Sequence, residues 1–149
     1  CLYTSGTEWG PSVHNTVKLG SSSFRWSEIW SVNGLNQSSD ARLKKDILPL
    51  SNSLDKVMKM NPVSYHWKVD DGNTHIGFLA QELDEVLPEV VRKPVGRQAS
   101  ADDARTINPE DDVYAVNYSE IIPVLVKAIQ EQQDIIRQLE ERIVKMENK

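Results

Sequence analysis

Cysteine is all but missing: Cys1 is the single thiol among 149 residues, so the chain can form no internal disulfide and no cysteine-built zinc site. Basic residues are not in excess either. With 17 Lys and Arg against 22 Asp and Glu, the net charge of -5 gives no electrostatic reason to bind nucleic acid or an anionic membrane. The longest apolar run, Ile121 to Val126, is six residues and contains Pro123. That falls far short of the roughly 20 residues a membrane-crossing helix needs. No phosphate-binding glycine loop and no metal-ligand cluster stands out, so neither cofactor nor metal is expected. The start, Cys1-Leu2-Tyr3-Thr4-Ser5, carries no basic or apolar leader and reads as the inside of a longer protein. What remains, 39% hydrophobic and 26% charged residues, is the composition of an ordinary folded chain: one domain, or a domain with an extended appendage.

The charge is unevenly placed. Residues 1–38 hold two acids (Glu8, Glu28) and two bases (Lys18, Arg25), and three of the four tryptophans, at 9, 26 and 30. The β-prone pieces Ser12 to Leu19 and Phe24 to Ser31 are punctuated by Gly10-Pro11, Gly20-Ser21-Ser22-Ser23 and Asn33-Gly34. This is too little chain to make a stable sheet alone, so a β-structure completed by other chain is expected. From Ser39 onward all of the net charge appears. Ser51 to Asn61 reads as a short helix with Leu54, Val57 and Met58 on one face. Val63, Tyr65, Trp67 and Val69 alternate with polar residues as a half-buried strand, Asp70 to Asn73 supplies a turn, and Thr74 to Phe78 returns. Leu79, Leu83, Val86 and Leu87 make a one-sided helix stopped by Pro88. Residues 92–112 are polar and without period, a lid or an arm that orders against a partner. Val113 to Tyr118 is strand-like. The fold class is therefore α+β: a β-rich N-terminal end, a small helix and hairpin domain, and a long C-terminal helix.

That last helix has the clearest pattern. Ile122, Leu125, Ile129, Gln132, Ile136, Leu139, Ile143 and Met146 are spaced alternately three and four apart, placing Ile at every a position and Leu, Gln, Leu, Met at d. Arg142 (g) and Glu147 (e) have the spacing of an interchain ion pair. A coiled coil over 119–149 follows; the other reading is an amphipathic helix packed on its own domain. The number of strands stays open, since Ile at a with Leu at d favours two whereas Val126 (e) and Ile135 (g) widen the seam. Pro123 costs a hydrogen bond unless the helix proper begins there.

Between the two halves stands Ser38-Ser39-Asp40-Ala41-Arg42-Leu43-Lys44-Lys45-Asp46-Ile47. A serine with a nearby lysine is one minimal oxygen nucleophile, the neutral amine accepting the hydroxyl proton as it attacks a carbonyl. Arg42 and Lys45 would favour a neutral amine at Lys44, and Asp40 and Asp46 oppose it. By themselves these residues read by default as a charged, capped turn leading into a helix.

The stretch Ser39 to Ile47 resembles the opening signature of the endosialidase-type intramolecular chaperone domain of phage tailspikes, tail fibres and neck appendages, a self-cleaving domain of the peptidase S74 family. Asn61 to Lys68, Ile76 to Leu83 with Val86 to Val91, and Val116 to Glu131 are similar to later blocks of that family in the same order. Leu19 to Trp30 is similar to the β-rich segment that precedes it. The resemblance implies a homotrimer that guides the upstream β-helical fibre of the same polypeptide into register and then cuts the chain before the signature serine. Residues 1–38 would be the fibre end and 39–149 the chaperone. Ser39 would be the nucleophile, Lys44 its general base, Ser38–Ser39 the scissile bond, and Asp40 and Arg42 would orient the turn. It further implies a virion tail or appendage precursor, assembled in the host cytoplasm, with no nucleic-acid or membrane partner. His66 and His75 could reach such a site, although a hairpin histidine is commonly just exposed or core-satisfied. Gln81 and Glu82 fit a helix start equally well. The alternatives are a permanent trimerisation module that never cuts, and a hydrolase of an external substrate, for which no second nucleophile–base set is apparent.

Overall fold

The computed structural model describes residues 2–5, 8–21, 24–68, 71–94 and 113–148. The chain divides into two units, one holding Cys1–Leu35 and the other Asn36–Lys93 with Tyr114–Lys149. In the first, β1 (Leu2–Ser5) and β2 (Glu8–Pro11) pair antiparallel, Leu2 opposite Pro11 and Ser5 opposite Glu8. The strands lie ahead of the two β-prone pieces, whose described residues carry no ladder. Ser22 and Ser23 of the intervening turn lie outside the described residues. Trp26, Trp30 and Val32 are exposed in the single chain, the last completely. Pieces this short need neighbouring strands to pair with, and sequence propensity alone does not supply them.

The second unit is built on α1 (Ser53–Lys59), β3 (Pro62–Tyr65), β4 (His75–Phe78), α2 (Ala80–Val86), β5 (Val91–Arg92), β6 (Ala115–Val116) and α3 (Ile121–Glu147). β3 and β4 form the expected hairpin with Pro62 opposite Phe78 and Tyr65 opposite His75. The ladder stops at Tyr65, so Trp67 lies beyond it and is exposed; Val69 and Asp70 fall outside the described residues. Phe78 N–H donates to Tyr118 Oη at 3.1 Å and the two rings stack, with centroids 6.1 Å apart. Gly77 permits this closeness: a Cβ there would lie 2.5 Å from that oxygen. β5 pairs antiparallel with β6, Val91 opposite Val116. The polar stretch between them, apart from residues 92–94, lies outside the described residues.

The core is Leu83, Leu87, Val90, Val91, Ile121 and Val124, with Val57, Met60, Phe78, Ala80, Tyr114 and Val116 packed against it. Each fully buried aliphatic side chain contributes about 1.5–3 kcal/mol. Leu83 and Leu87 follow the expected stripe of α2. Leu79 does not, because it is the cap preceding the first helical turn and stays exposed. Pro88 does more than stop α2: it opens a 3₁₀ turn, Pro88–Val90, where its missing N–H is not needed and where Val90 is turned into the core.

Helix α1 is shorter than its pattern by two residues at each end, and Met58 on the expected face is exposed while Met60 packs instead. Its cap residue, Asn52, is left-handed (φ 55°) and makes no side-chain cap. The carboxylate of Glu131, on α3, accepts the Leu54 N–H at 2.8 Å in its place. A helix start leaves its first amide donors unpaired, and here the partner comes from 77 positions away.

Helix α3 starts at Ile121, after a 3₁₀ turn over Tyr118–Glu120. Pro123 is its third residue, inside the first turn whose N–H groups have no intrahelical acceptor, so the proline costs no bond. Two apolar stripes run along this helix. Ile121, Val124 and Ala128 are buried on its own unit. The heptad stripe is not: Ile122, Leu125, Ile129, Ile136, Leu139, Ile143 and Met146 are all exposed in the single chain. Every described residue from Gln132 to Asn148 is exposed. Among the described residues no helix is long and apolar enough to cross a membrane.

Candidate functional site

Asp40 builds the local turn. Its side chain accepts the Arg42 N–H at 2.9 Å and caps the 3₁₀ turn Ala41–Leu43, which Lys44 N–H closes on Ala41 O at 3.1 Å. The Arg42 guanidinium grips the same carboxylate, Nε to Oδ1 at 3.0 Å and Nη2 to Oδ2 at 2.6 Å. This side-chain contact, with the backbone N–H second, holds the Asp40 carboxyl below its ordinary value and raises Arg42 in turn. A carboxylate engaged this way spends its charge on Arg42.

The turn reverses the chain and leaves Lys44 extended (φ -114°, ψ 149°) beside the residue before the turn. Lys44 Nζ donates to Ser39 Oγ at 2.8 Å. Four of the expected site residues thus meet as two pairs, Ser39 with Lys44 and Asp40 with Arg42. Ser38 is the residue immediately before. All five are exposed in the single chain. A hydroxyl in direct hydrogen bond with an amine is the minimal arrangement for moving one proton off an attacking oxygen. It works in that direction only with the amine neutral, a form that removal from water favours.

The remaining candidates are employed elsewhere. His66 Nε2 bonds Thr74 Oγ1 at 3.1 Å, and His75 Nε2 bonds Asp71 Oδ2 at 2.8 Å while stacking on Tyr65, all within the hairpin. Asp71 is held below its ordinary value first by the Asn73 N–H and then by His75. Glu82 accepts from Asn61 Nδ2 at 3.0 Å, tying the start of α2 to the start of β3. Sequence reasoning did not single out Gln37, Asn117 and Ser119. Gln37 Nε2 donates to Ser119 Oγ at 3.2 Å, and Ser119 Oγ donates to Asn117 Oδ1 at 2.8 Å. The two partner stretches are 82 positions apart, a separation that leaves no local pattern.

Residues 39–92, which begin on Ser39, match the family profile described as chaperone of endosialidase, Peptidase S74. These residues belong to that family. At the level of the family, the designation carries a peptidase that cleaves its own chain. The chain is also similar to the long tail fiber protein Gp37 of Enterobacteria phage K3, 29% identical over 130 residues that make up 81% of this chain and 10% of that protein. It is similar to the capsule K3-specific depolymerase 1 of Klebsiella phage KP32, 31% identical over 90 residues, 55% of this chain and 10% of that protein. It thus spans about a tenth of the length of these relatives. Among solved structures, the carboxy-terminal domain of the bacteriophage T5 L-shaped tail fiber with its intra-molecular chaperone domain superposes with a TM-score of 0.60 at 18% identity, over 90% of this chain and 39% of that one. The likeness shows the same fold over most of the chain, α+β with a long terminal helix.

Proposed function

We propose that residues 39–149 are a homotrimeric intramolecular chaperone for the fibre whose last segment is residues 1–38, and that they release themselves by cutting the Ser38–Ser39 bond. The observation that carries this reading is the 2.8 Å contact between Lys44 Nζ and Ser39 Oγ at the first residues of the family match. Ser39 Oγ attacks the Ser38 carbonyl carbon as its proton passes to Lys44. Collapse breaks the peptide C–N bond, and the Ser39 amine takes the proton back, leaving the Ser38 acyl group as an ester on Oγ. Water opens the ester to give the Ser38 carboxylate and the Ser39 hydroxyl. Because the nucleophile belongs to the residue that follows the bond, it is delivered at high effective concentration without a binding step.

Trimerisation is supported by the outer stripe of α3. A helix whose described residues are all exposed in the single chain from Gln132 onward takes its stability from packing against other helices. Pro49 and Leu50 line an apolar groove with Ile122, Pro123 and Val126, so the segment carrying Lys44 runs directly onto that seam. Three chains joined at one end are held at high effective concentration and in one stagger, which relieves the register ambiguity of a three-chain β-fibre. Loss of the chaperone then leaves the fibre kinetically trapped. The protein is accordingly a virion tail or appendage precursor assembled in the host cytoplasm.

One observation favours the second reading, a permanent module: both Ser39 and Lys44 are exposed in the single chain. Intact masses separate the two. With several dozen natural residues restored upstream, the wild type is expected as two fragments and Ser39→Ala and Lys44→Ala as whole chains. A wild type that stays whole as a trimer establishes the permanent module, and variants that both cut as fast as wild type remove the pair from the mechanism.

A further inference from the structure

We propose that Gln37 and Ser119 are positioning residues for the cut: the Ser119 hydroxyl holds the Gln37 carboxamide and thereby fixes the acyl side of the Ser38–Ser39 bond. The inference rests on the self-cleavage reading above and concerns a part of the reaction that the Ser39–Lys44 pair leaves open. That pair orients the attacking oxygen. It does nothing to place the carbonyl to be attacked, which belongs to Ser38 and follows Gln37 directly. Attack needs the two reacting atoms within about 3–3.5 Å and aligned, and a misplacement of about 1 Å can cost about a hundredfold in rate.

The hydrogen-bond chain is suited to that task. The single proton of the Ser119 hydroxyl is given to Asn117 Oδ1 at 2.8 Å, which leaves its oxygen to accept from Gln37 Nε2 at 3.2 Å. The far end is rooted in the core. Asn117 N–H donates to Val90 O at 2.8 Å, Val90 is 2% exposed, and Ile121, two residues after Ser119, is 4% exposed. The near end lies in a stretch, residues 36–50, of which every residue is exposed. A fixed point therefore reaches across to a poorly packed segment one residue before the bond to be broken. The same geometry makes Gln37 a specificity determinant. The upstream chain must present an amide donor of this length at the second position before Ser39; alanine offers no donor, and asparagine is one methylene short.

The test is the first-order cleavage rate of the chain with its natural upstream segment, followed by intact mass over time. Oligomer mass and thermal melting are recorded for each protein. Ser119→Ala and Gln37→Ala are each expected to slow cleavage about fivefold to tenfold, the loss of one hydrogen bond. The double variant is expected to cut no more slowly than the slower single one, because both remove the same contact. Ser119→Thr, which keeps the hydroxyl, restores the rate, and melting stays at the wild-type value throughout. Singles that cut at the wild-type rate, a double whose slowing is the product of the two, or a Ser119→Thr as slow as Ser119→Ala overturns the positioning role and leaves the Ser39–Lys44 cut standing. A wild type that never cuts overturns the self-cleavage reading, and this inference with it.

Discussion

The two apolar stripes of α3 differ in what they have found to touch. Ile121, Val124 and Ala128 are buried against the helix's own unit, and just beyond them Glu131 reaches across to cap α1. The heptad residues, a few tens of degrees around the same cylinder, are exposed; Ile129 is 65% and Met146 66% exposed. The inner stripe ends within the first three turns, whereas the outer one continues to the end of the helix. One element thus carries two separable stripes: its first turns complete a domain, and along its whole length runs an exposed apolar stripe, the surface that the proposed trimer would use. The sequence readings that set a coiled coil against a helix packed on its own domain describe adjacent faces of one helix.

That separation can be broken at either face. The largest effect is expected on the outer one. Ile129→Asp with Ile136→Asp should convert the oligomer to monomer by light scattering, while circular dichroism of residues 39–149 keeps the signature of a folded domain, since neither side chain touches the core. An unchanged mass would contradict the seam. On the inner face, Ile121→Ala should cost about 2–5 kcal/mol of domain stability in denaturant unfolding, because a residue 4% exposed leaves a cavity beside Leu83 and Val90. A loss below about 0.5 kcal/mol, the scale of ordinary surface substitutions, would show the inner stripe to be incidental. The smallest effect tests the bridge between helices. Glu131→Ala should cost about 1 kcal/mol, the usual worth of a cap, and Glu131→Gln, which keeps an acceptor oxygen, should recover part of it. Equal losses for the two would mean that the carboxylate does not cap α1.

Much of this architecture was legible in the sequence where the pattern was local. The three-and-four spacing from Ile122 to Met146, the stripe of α2 and the turn between β3 and β4 each lie within a few residues of one another. What was not legible came from partners far along the chain. The start of α1 is capped by Glu131, Gly77 is needed because of Tyr118 some 40 positions on, and Gln37 is met by Ser119. The β-prone pieces between Ser12 and Ser31 carry no ladder among the described residues for a related reason: strand propensity is realised only where a ladder partner exists. At the site, a serine and a lysine five apart carry little information alone, and it was the resemblance of the surrounding residues that picked them out. The Asp40–Arg42 grip supplies the physical reason that spacing works, since it folds the turn that brings Lys44 back onto Ser39.

The most direct measurement is the first residue of the fragment that the assembled protein releases. The chain with its upstream segment is expressed, and the C-terminal product is isolated and read from its N-terminus. The account predicts a fragment beginning on Ser39, with the complementary piece ending on Ser38. A fragment beginning at any other residue, or a trimer in which no chain is cut, would contradict it.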